Sequence, residues 1–288
     1  MYIKASYIRP RTLDEAMALL AAGEAQILSG GTDFYPALGD RVVRGPVVDV
    51  SGLGELRGVS TDADYFRVGG LTTWSEIIRT PLPRCFDALK SAAREVGGIQ
   101  IQNRGTVAGN LCNASPAADG VPPLLALDAE VELVSNVGVR RLPLADFIVG
   151  NRKTQRKADE LLAAVLVPRA LENAASTFVK LGARRYLVIS ISMVAVVVKL
   201  SDEERVDERK VLEARVAVGS CSAVARRLRA LEHDLVGTSM QDGLGEMVRL
   251  KHLAPLSPID DIRATAEYRL DASRRLVQRA LNSCVENG

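Results

Sequence analysis

The chain has 288 residues, 47% of them hydrophobic, and 37 basic against 35 acidic side chains. That is room for about two compact domains with a large core. It excludes a disordered chain and gives no reason to expect nucleic acid as a partner. The first residues hold no apolar signal core, and the longest apolar run, Tyr186 to Val198, falls short of the roughly 20 residues a membrane span needs. A soluble, cytoplasmic protein without membrane contact is expected.

Residues 2–8 read as a strand. Thr12-Leu13-Asp14-Glu15 is a capping box, and Leu13, Ala16, Leu19 and Leu20 stripe the helix behind it, which Gly23 ends. A strand over 25–29 runs straight into Gly30-Gly31. A short helix over 34–38 and a third strand over 47–50 complete a small β-α-β unit. A hairpin pairs 56–60 with 66–69. Thr73-Trp74-Ser75-Glu76 is a second capping box, opening a helix that stops before Pro81. Phe86, Leu89, Ala93 and Val96 share one face of the next helix. Pro122-Pro123 begins a short helix that reaches Leu127. A hairpin pairs 130–135 with 139–142, and 161–167 is a strand closed by Pro168. From about residue 176 the pattern changes to three antiparallel strands, 178–181, 187–200 and 212–219, with a solvated turn over 202–210. Helices over 223–235, about 240–253 and 265–284 follow. Arg269, Arg274, Arg275 and Arg279 on the last helix read as a solvated row.

The chemistry is expected in two loops, residues 25–34 and 97–119. Each is an apolar run broken by glycines that then turns into Asn, Ser, Thr and Asp. Glycine lets a backbone approach a ligand closely. Successive N–H groups in such a turn form a concavity for anions, and a helix start behind it adds partial positive charge. The reading is two phosphate-cradling loops, with a plain tight turn as the alternative for either loop by itself. Neither G-x-x-x-x-G-K-[ST] nor G-x-G-x-x-G occurs, so the chain is neither a P-loop protein nor a Rossmann unit. Cys85, Cys112, Cys221 and Cys284 form no cluster and read as free thiols, so no iron–sulfur centre is expected on this chain. His233 and His252 lack the spacing of metal ligands or of a catalytic pair.

Together the loops resemble those of the FAD-binding middle subunit of the molybdenum hydroxylases, the xanthine dehydrogenase and carbon monoxide dehydrogenase family. Gly30-Gly31-Thr32-Asp33 is similar to the family's first FAD loop. Arg104-Gly105-Thr106-Val107-Ala108-Gly109-Asn110, followed by Ala114-Ser115-Pro116 and Asp119, is similar to the second. Ala108 stands where the family often has glycine. The resemblance implies an α+β fold. A two-part FAD-binding domain over 1–175, with subdomains 1–55 and 56–175, precedes a C-terminal domain of three antiparallel strands and helices over 176–288. It implies FAD contacts from Leu28, Ser29, Gly30, Gly31, Thr32, Asp33 and Phe34, with Gly30 and Gly31 at the pyrophosphate. Thr32 and Asp33 add side-chain bonds or cap the next helix. It further implies contacts from Gly98, Ile101, Thr106, Gly109, Asn110, Ser115 and Asp119. Asp119 also suits the N-cap of the helix reaching Leu127. Val96, Leu161 and Leu162 are flavin-facing or ordinary core. Lys180 and Ile189 belong to a segment at the exposed flavin edge, where Val188 replaces an acidic residue common in relatives.

By the same resemblance, electrons arrive from a [2Fe-2S] small subunit, which draws them from a molybdopterin large subunit. They leave for NAD or another acceptor. The alternative is a self-contained flavoprotein oxidoreductase, which needs a substrate base near the flavin, and the sequence offers none. An assembly subunit without cofactor is a third reading, and the intact loops oppose it.

Overall fold

The structure is a computed structural model that describes residues 6–203, 205, 208–239 and 243–286. Strands β1 (Tyr7–Ile8), β2 (Gln26–Leu28) and β3 (Val47–Asp49) form a parallel sheet with β3 in the middle. Helix α1 (Leu13–Leu20) connects β1 to β2. The Thr12 hydroxyl accepts from Glu15 N at 3.2 Å and the Glu15 carboxylate accepts from Arg11 N at 2.7 Å, so orphan donors at the helix start are satisfied. Ala16, Met17 and Leu20 bury against Val48 and Val50. A loop at the carboxyl end of β2 then leads into α2 (Phe34–Leu38). Ligands of parallel α/β sheets bind at such strand ends.

The middle of the chain builds an antiparallel sheet. Its elements are β4 (Val59–Thr61), β5 (Tyr65–Gly69), α3 (Trp74–Arg79), α4 (Asp87–Glu95), α5 (Ile99–Gln102), α6 (Val107–Asn113) and α7 (Val121–Ala126). Next come β6 (Glu130–Ser135), β7 (Gly138–Pro143), α8 (Leu144–Phe147), β8 (Ile148–Gly150), β9 (Lys153–Thr154) and β10 (Leu161–Pro168). The strand order is β4-β5-β10-β6-β7. Central β10 is apolar throughout because both its faces are covered. Leu162, Val165 and Val167 enter the main core, while Leu161 and Ala163 join the core of α1 and β3.

The last part contributes β11 (Ala175–Leu181), β12 (Ser192–Leu200), β13 (Val211–Gly219), β14 (Arg226–Arg227), α9 (Arg229–Leu235) and α10 (Ala266–Glu286). Its sheet runs β11-β12-β13-β14. Side chains alternate along β12: Met193, Ala195 and Val197 face the main core, and Val194, Val196 and Val198 face Leu276, Val277 and Leu281 of α10. Beyond this packing, Asp128, just after α7, pairs with Arg215 at 2.8 Å and Arg227 at 2.5 Å. No described helix is long and apolar enough to cross a membrane. All four cysteines are free thiols.

The architecture agrees with the α+β expectation, and several boundaries differ. Residues 187–191 are not strand. Leu187 has φ 51°, and its carbonyl accepts from Arg184 Nη2 at 2.6 Å, which closes a loop before β12. The expected helix over 223–235 is shorter, because Arg226 and Arg227 pair as an edge strand with Val218 and Ala217. The helix expected at 240–253 is two short 3₁₀ turns, Leu244–Met247 and Leu250–Leu253, and residues 240–242 lie outside the described ones. So do 2–5 of the expected first strand and 204, 206 and 207 of the expected turn. Arg269 is not on a solvated row. It is 3% exposed, donates to Ile191 O at 2.6 Å and pairs with Asp261 at 2.7 Å.

Candidate functional site: a cleft between the two glycine loops

A cleft of about 1420 Å³ opens where the first loop meets α6 and β10. Of the expected residues, Ser29, Gly30, Gly31, Thr32, Asp33, Phe34, Val96, Ile101, Thr106, Gly109, Asn110, Leu161 and Leu162 line it. Leu28, Gly98, Ser115, Asp119, Lys180 and Ile189 do not. Leu28 is buried beneath the first loop. Ser115 Oγ accepts from Ala117 N at 3.3 Å within its own turn. Ile189 is 53% exposed on the loop before β12.

The first loop is an open row of donors. The N–H groups of Gly30, Gly31, Thr32, Asp33 and Phe34 make no hydrogen bond among the described residues, and all five residues face the cleft. Gly31 has φ 75°, a conformation that favours glycine. A methyl group on Gly30 would overlap the Arg104 carbonyl, so this glycine lets the two loops touch. Ser29 Oγ and Thr106 Oγ1 share a hydrogen bond at 2.9 Å across the same contact.

The second loop works differently. The Thr106 hydroxyl caps α6 by accepting from Gly109 N at 3.1 Å. Val107 N donates to Thr72 O at 3.0 Å and Ala108 N to Gly70 O at 2.9 Å. The donors of Val107, Ala108 and Gly109 at this helix start are therefore satisfied inside the chain, in contrast to the open row on the first loop. What α6 leaves open is an acceptor: Asn110 Oδ1 is buried in the cleft wall with no partner among the described residues.

Asp33 makes no cap to α2. It pairs with Arg152 at 2.6 Å, and Arg152 also donates to Asn113. Arg152, Lys153, Thr154 and Arg156 line the cleft and were not foreseen. The basic run of Arg152, Lys153, Arg156 and Lys157 right after Gly150 was the available signal. Arg41 and Arg44 add positive charge beyond α2.

Asp119 is 7% exposed. It accepts from Lys180 Nζ and from Ser190 Oγ, each at 2.7 Å. Burial pushes its carboxyl above the usual range, and Lys180 pulls it back only in part. The trio ties the second loop to β11 and to the loop before β12.

Residues 3–170 match the family model described as the FAD binding domain in molybdopterin dehydrogenase. The chain belongs to this family of FAD-binding subunits. Residues 177–284 match the CO dehydrogenase flavoprotein C-terminal domain. A xanthine dehydrogenase FAD-binding subunit from Escherichia coli O157:H7 is 31% identical over 99% of this chain and 97% of its own length. The caffeine dehydrogenase subunit beta of Pseudomonas sp. (strain CBB1) is 32% identical over 96% of this chain and 92% of its own length. Among solved structures, carbon monoxide dehydrogenase from Hydrogenophaga pseudoflava superposes with TM-score 0.87 at 25% identity, covering 99% of this chain and 98% of that one. The chain is thus an oxidoreductase subunit with FAD as its cofactor, and the cleft fits that group. It exceeds the ~300–1,000 Å³ usual for a compact small ligand. It offers free backbone donors for a diphosphate, a glycine contact that a Cβ would fill, and an unpartnered acceptor for a hydroxyl or ring N–H.

Proposed function

We propose that this chain holds FAD between an iron–sulfur partner subunit and a separate electron acceptor, within a complex whose molybdopterin subunit oxidises the substrate. The observation that carries this reading is the row of free N–H groups from Gly30 to Phe34 in the same cleft as the basic residues Arg152 and Arg156. The row holds the diphosphate, and Arg152 stays beside it while paired to Asp33. Thr106 and Gly109 form the wall at the phosphates and ribityl chain, and Asn110 accepts from the cofactor. Val96, Ile101, Leu161 and Leu162 give the ring system an apolar bed. Gly98, Ser115, Asp119, Lys180 and Ile189 act from behind that bed and at its exposed edge. FAD supplies the ability to take electrons singly and release them in pairs.

Relatives named as medium chains or subunits support a multi-subunit assembly. The two family matches meet between residues 170 and 177, which supports domains at 1–175 and 176–288. The acceptor is NAD or another acceptor of flavin electrons, and the complex works in the cytoplasm.

The test is the visible spectrum of the chain expressed alone and with its copurifying partners, followed by acid release of the flavin. Near-stoichiometric FAD in the wild type, and none in Gly30→Ala, supports the reading. A complex without flavin, or a Gly30→Ala chain that keeps its full content, refutes it.

A further inference from the structure

A second cleft, of about 640 Å³, is lined by residues of α4, β11 and the loop before β12. The two are lined by adjacent residues: Val96 lines the first and Glu95, its neighbour, lines the second. Arg184 and Arg185, on the loop before β12, and Arg279 of α10 also line the second cleft, as does Lys180.

These arginines are less neutralised than those around them. On α10, Arg269 pairs with Asp261, and Arg274 and Arg275 pair with Asp271. Arg279 on the same helix has no ion-pair partner among the described residues. Among the described residues Arg185 only stacks over the Tyr186 ring, at 5.2 Å. Arg184 uses Nε and Nη2 on the Leu187 carbonyl, at 3.2 and 2.6 Å, which leaves its other amine open. Lys180 is already held by Asp119. Three guanidinium groups thus face one carboxylate, Glu95. A concave site with that surplus suits a ligand group that is doubly negative and accepts from several planar forks at once, which is a phosphate or diphosphate.

We propose that this second cleft binds the phosphate or diphosphate group of a small ligand, with Arg185 and Arg279 as the main contacts. Arg184 serves as a strap: it fixes left-handed Leu187 close to Gly98 of the second cofactor loop and so keeps Arg185 at the rim. Glu95 is placed to accept from a ribose hydroxyl beside the phosphates. Two ligands carry this chemistry, a dinucleotide acceptor reaching the flavin past Val96 and a free nucleoside diphosphate. The phosphate site stands on its own residues; the dinucleotide acceptor as its source rests on the electron-transfer reading.

The test is calorimetric titration of inorganic pyrophosphate into the full chain saturated with FAD, so that the first cleft is filled. Saturable binding is expected. Arg185→Ala and Arg279→Ala should each weaken it about tenfold, the usual loss for one charge-assisted contact. Arg275→Ala, which faces solvent, should leave it unchanged. No binding at millimolar pyrophosphate, or equal binding in all variants with native circular dichroism, overturns the proposal. NAD⁺ and ADP are titrated next. NAD⁺ binding with the same arginine dependence supports the acceptor as the source. ADP binding alone supports a free nucleotide. Pyrophosphate binding with neither nucleotide would mark an adventitious ion only, and that also overturns the proposal. Absorbance of the same samples reports FAD content, so a failure of the cofactor reading is seen separately.

Discussion

Lys180→Met should be among the most damaging single changes outside the apolar cores. The side chains of Lys180 and Asp119 are only 6% and 9% exposed, and their atoms meet at 2.7 Å. Without the ammonium, the Asp119 carboxylate stays buried with one hydroxyl, Ser190, as its donor. Removing one partner of a buried pair costs about 3–5 kcal/mol, because the remaining carboxylate must stay buried uncompensated or take up a proton. At roughly 2 °C per kcal/mol for a chain of this length, the melting temperature of the flavin-free protein should fall by roughly 6–10 °C. Lys180→Met combined with Asp119→Leu should recover to within about 1 kcal/mol of the wild type, because no unpaired charge remains. Thermal and urea unfolding at pH 7 of the two singles and the double measure this. A Lys180→Met loss below about 1 kcal/mol, or a double variant as unstable as the sum of the singles, would refute the argument.

Asn110→Leu should not destabilise the flavin-free chain, since Asn110 Oδ1 has no partner to lose, yet it should weaken FAD binding about tenfold; flavin titration and unfolding of the same sample decide. Asp128→Asn should cost about 1 kcal/mol near neutral pH, a figure already discounted because the carboxyl is 40% exposed. Although burial alone would raise the Asp128 pKa, Arg227 and Arg215 hold it below the ordinary value. Its contribution is therefore present above about pH 4 and is lost as pH falls through the depressed folded value. Unfolding curves of wild type and variant should converge on acidification, and a constant gap down to pH 2.5 would contradict the pairing.

Much of the fold could be read from local signals. The Thr73 capping box, the Thr12 hydroxyl cap and the hairpin at 130–143 occur close to where the sequence puts them, because each depends on neighbours within a few residues. The first loop was legible for the same reason. Asp33 was not, since its partner Arg152 lies 119 residues away and no periodicity announces it. Similarly, the donors at the start of α6 look free in the sequence, and only the fold brings the Thr72 and Gly70 carbonyls onto them. The apolar run from Tyr186 hid a loop, because a single left-handed residue, Leu187, is invisible in hydropathy.

The hydroxyl contact between Ser29 and Thr106 joins a loop from the parallel sheet to a helix packed on the antiparallel one. One bond of that kind contributes only about 1 kcal/mol, so by itself it sets the angle between the two layers weakly. A ligand lying along both edges acts as a strut between them. Cofactor loading then becomes part of the protein's thermal history: each tenfold rise in free FAD above its dissociation constant should add about 1.4 kcal/mol to the folded state. Chain made under flavin starvation should accordingly be cleared faster by cellular proteases than chain made with flavin in supply.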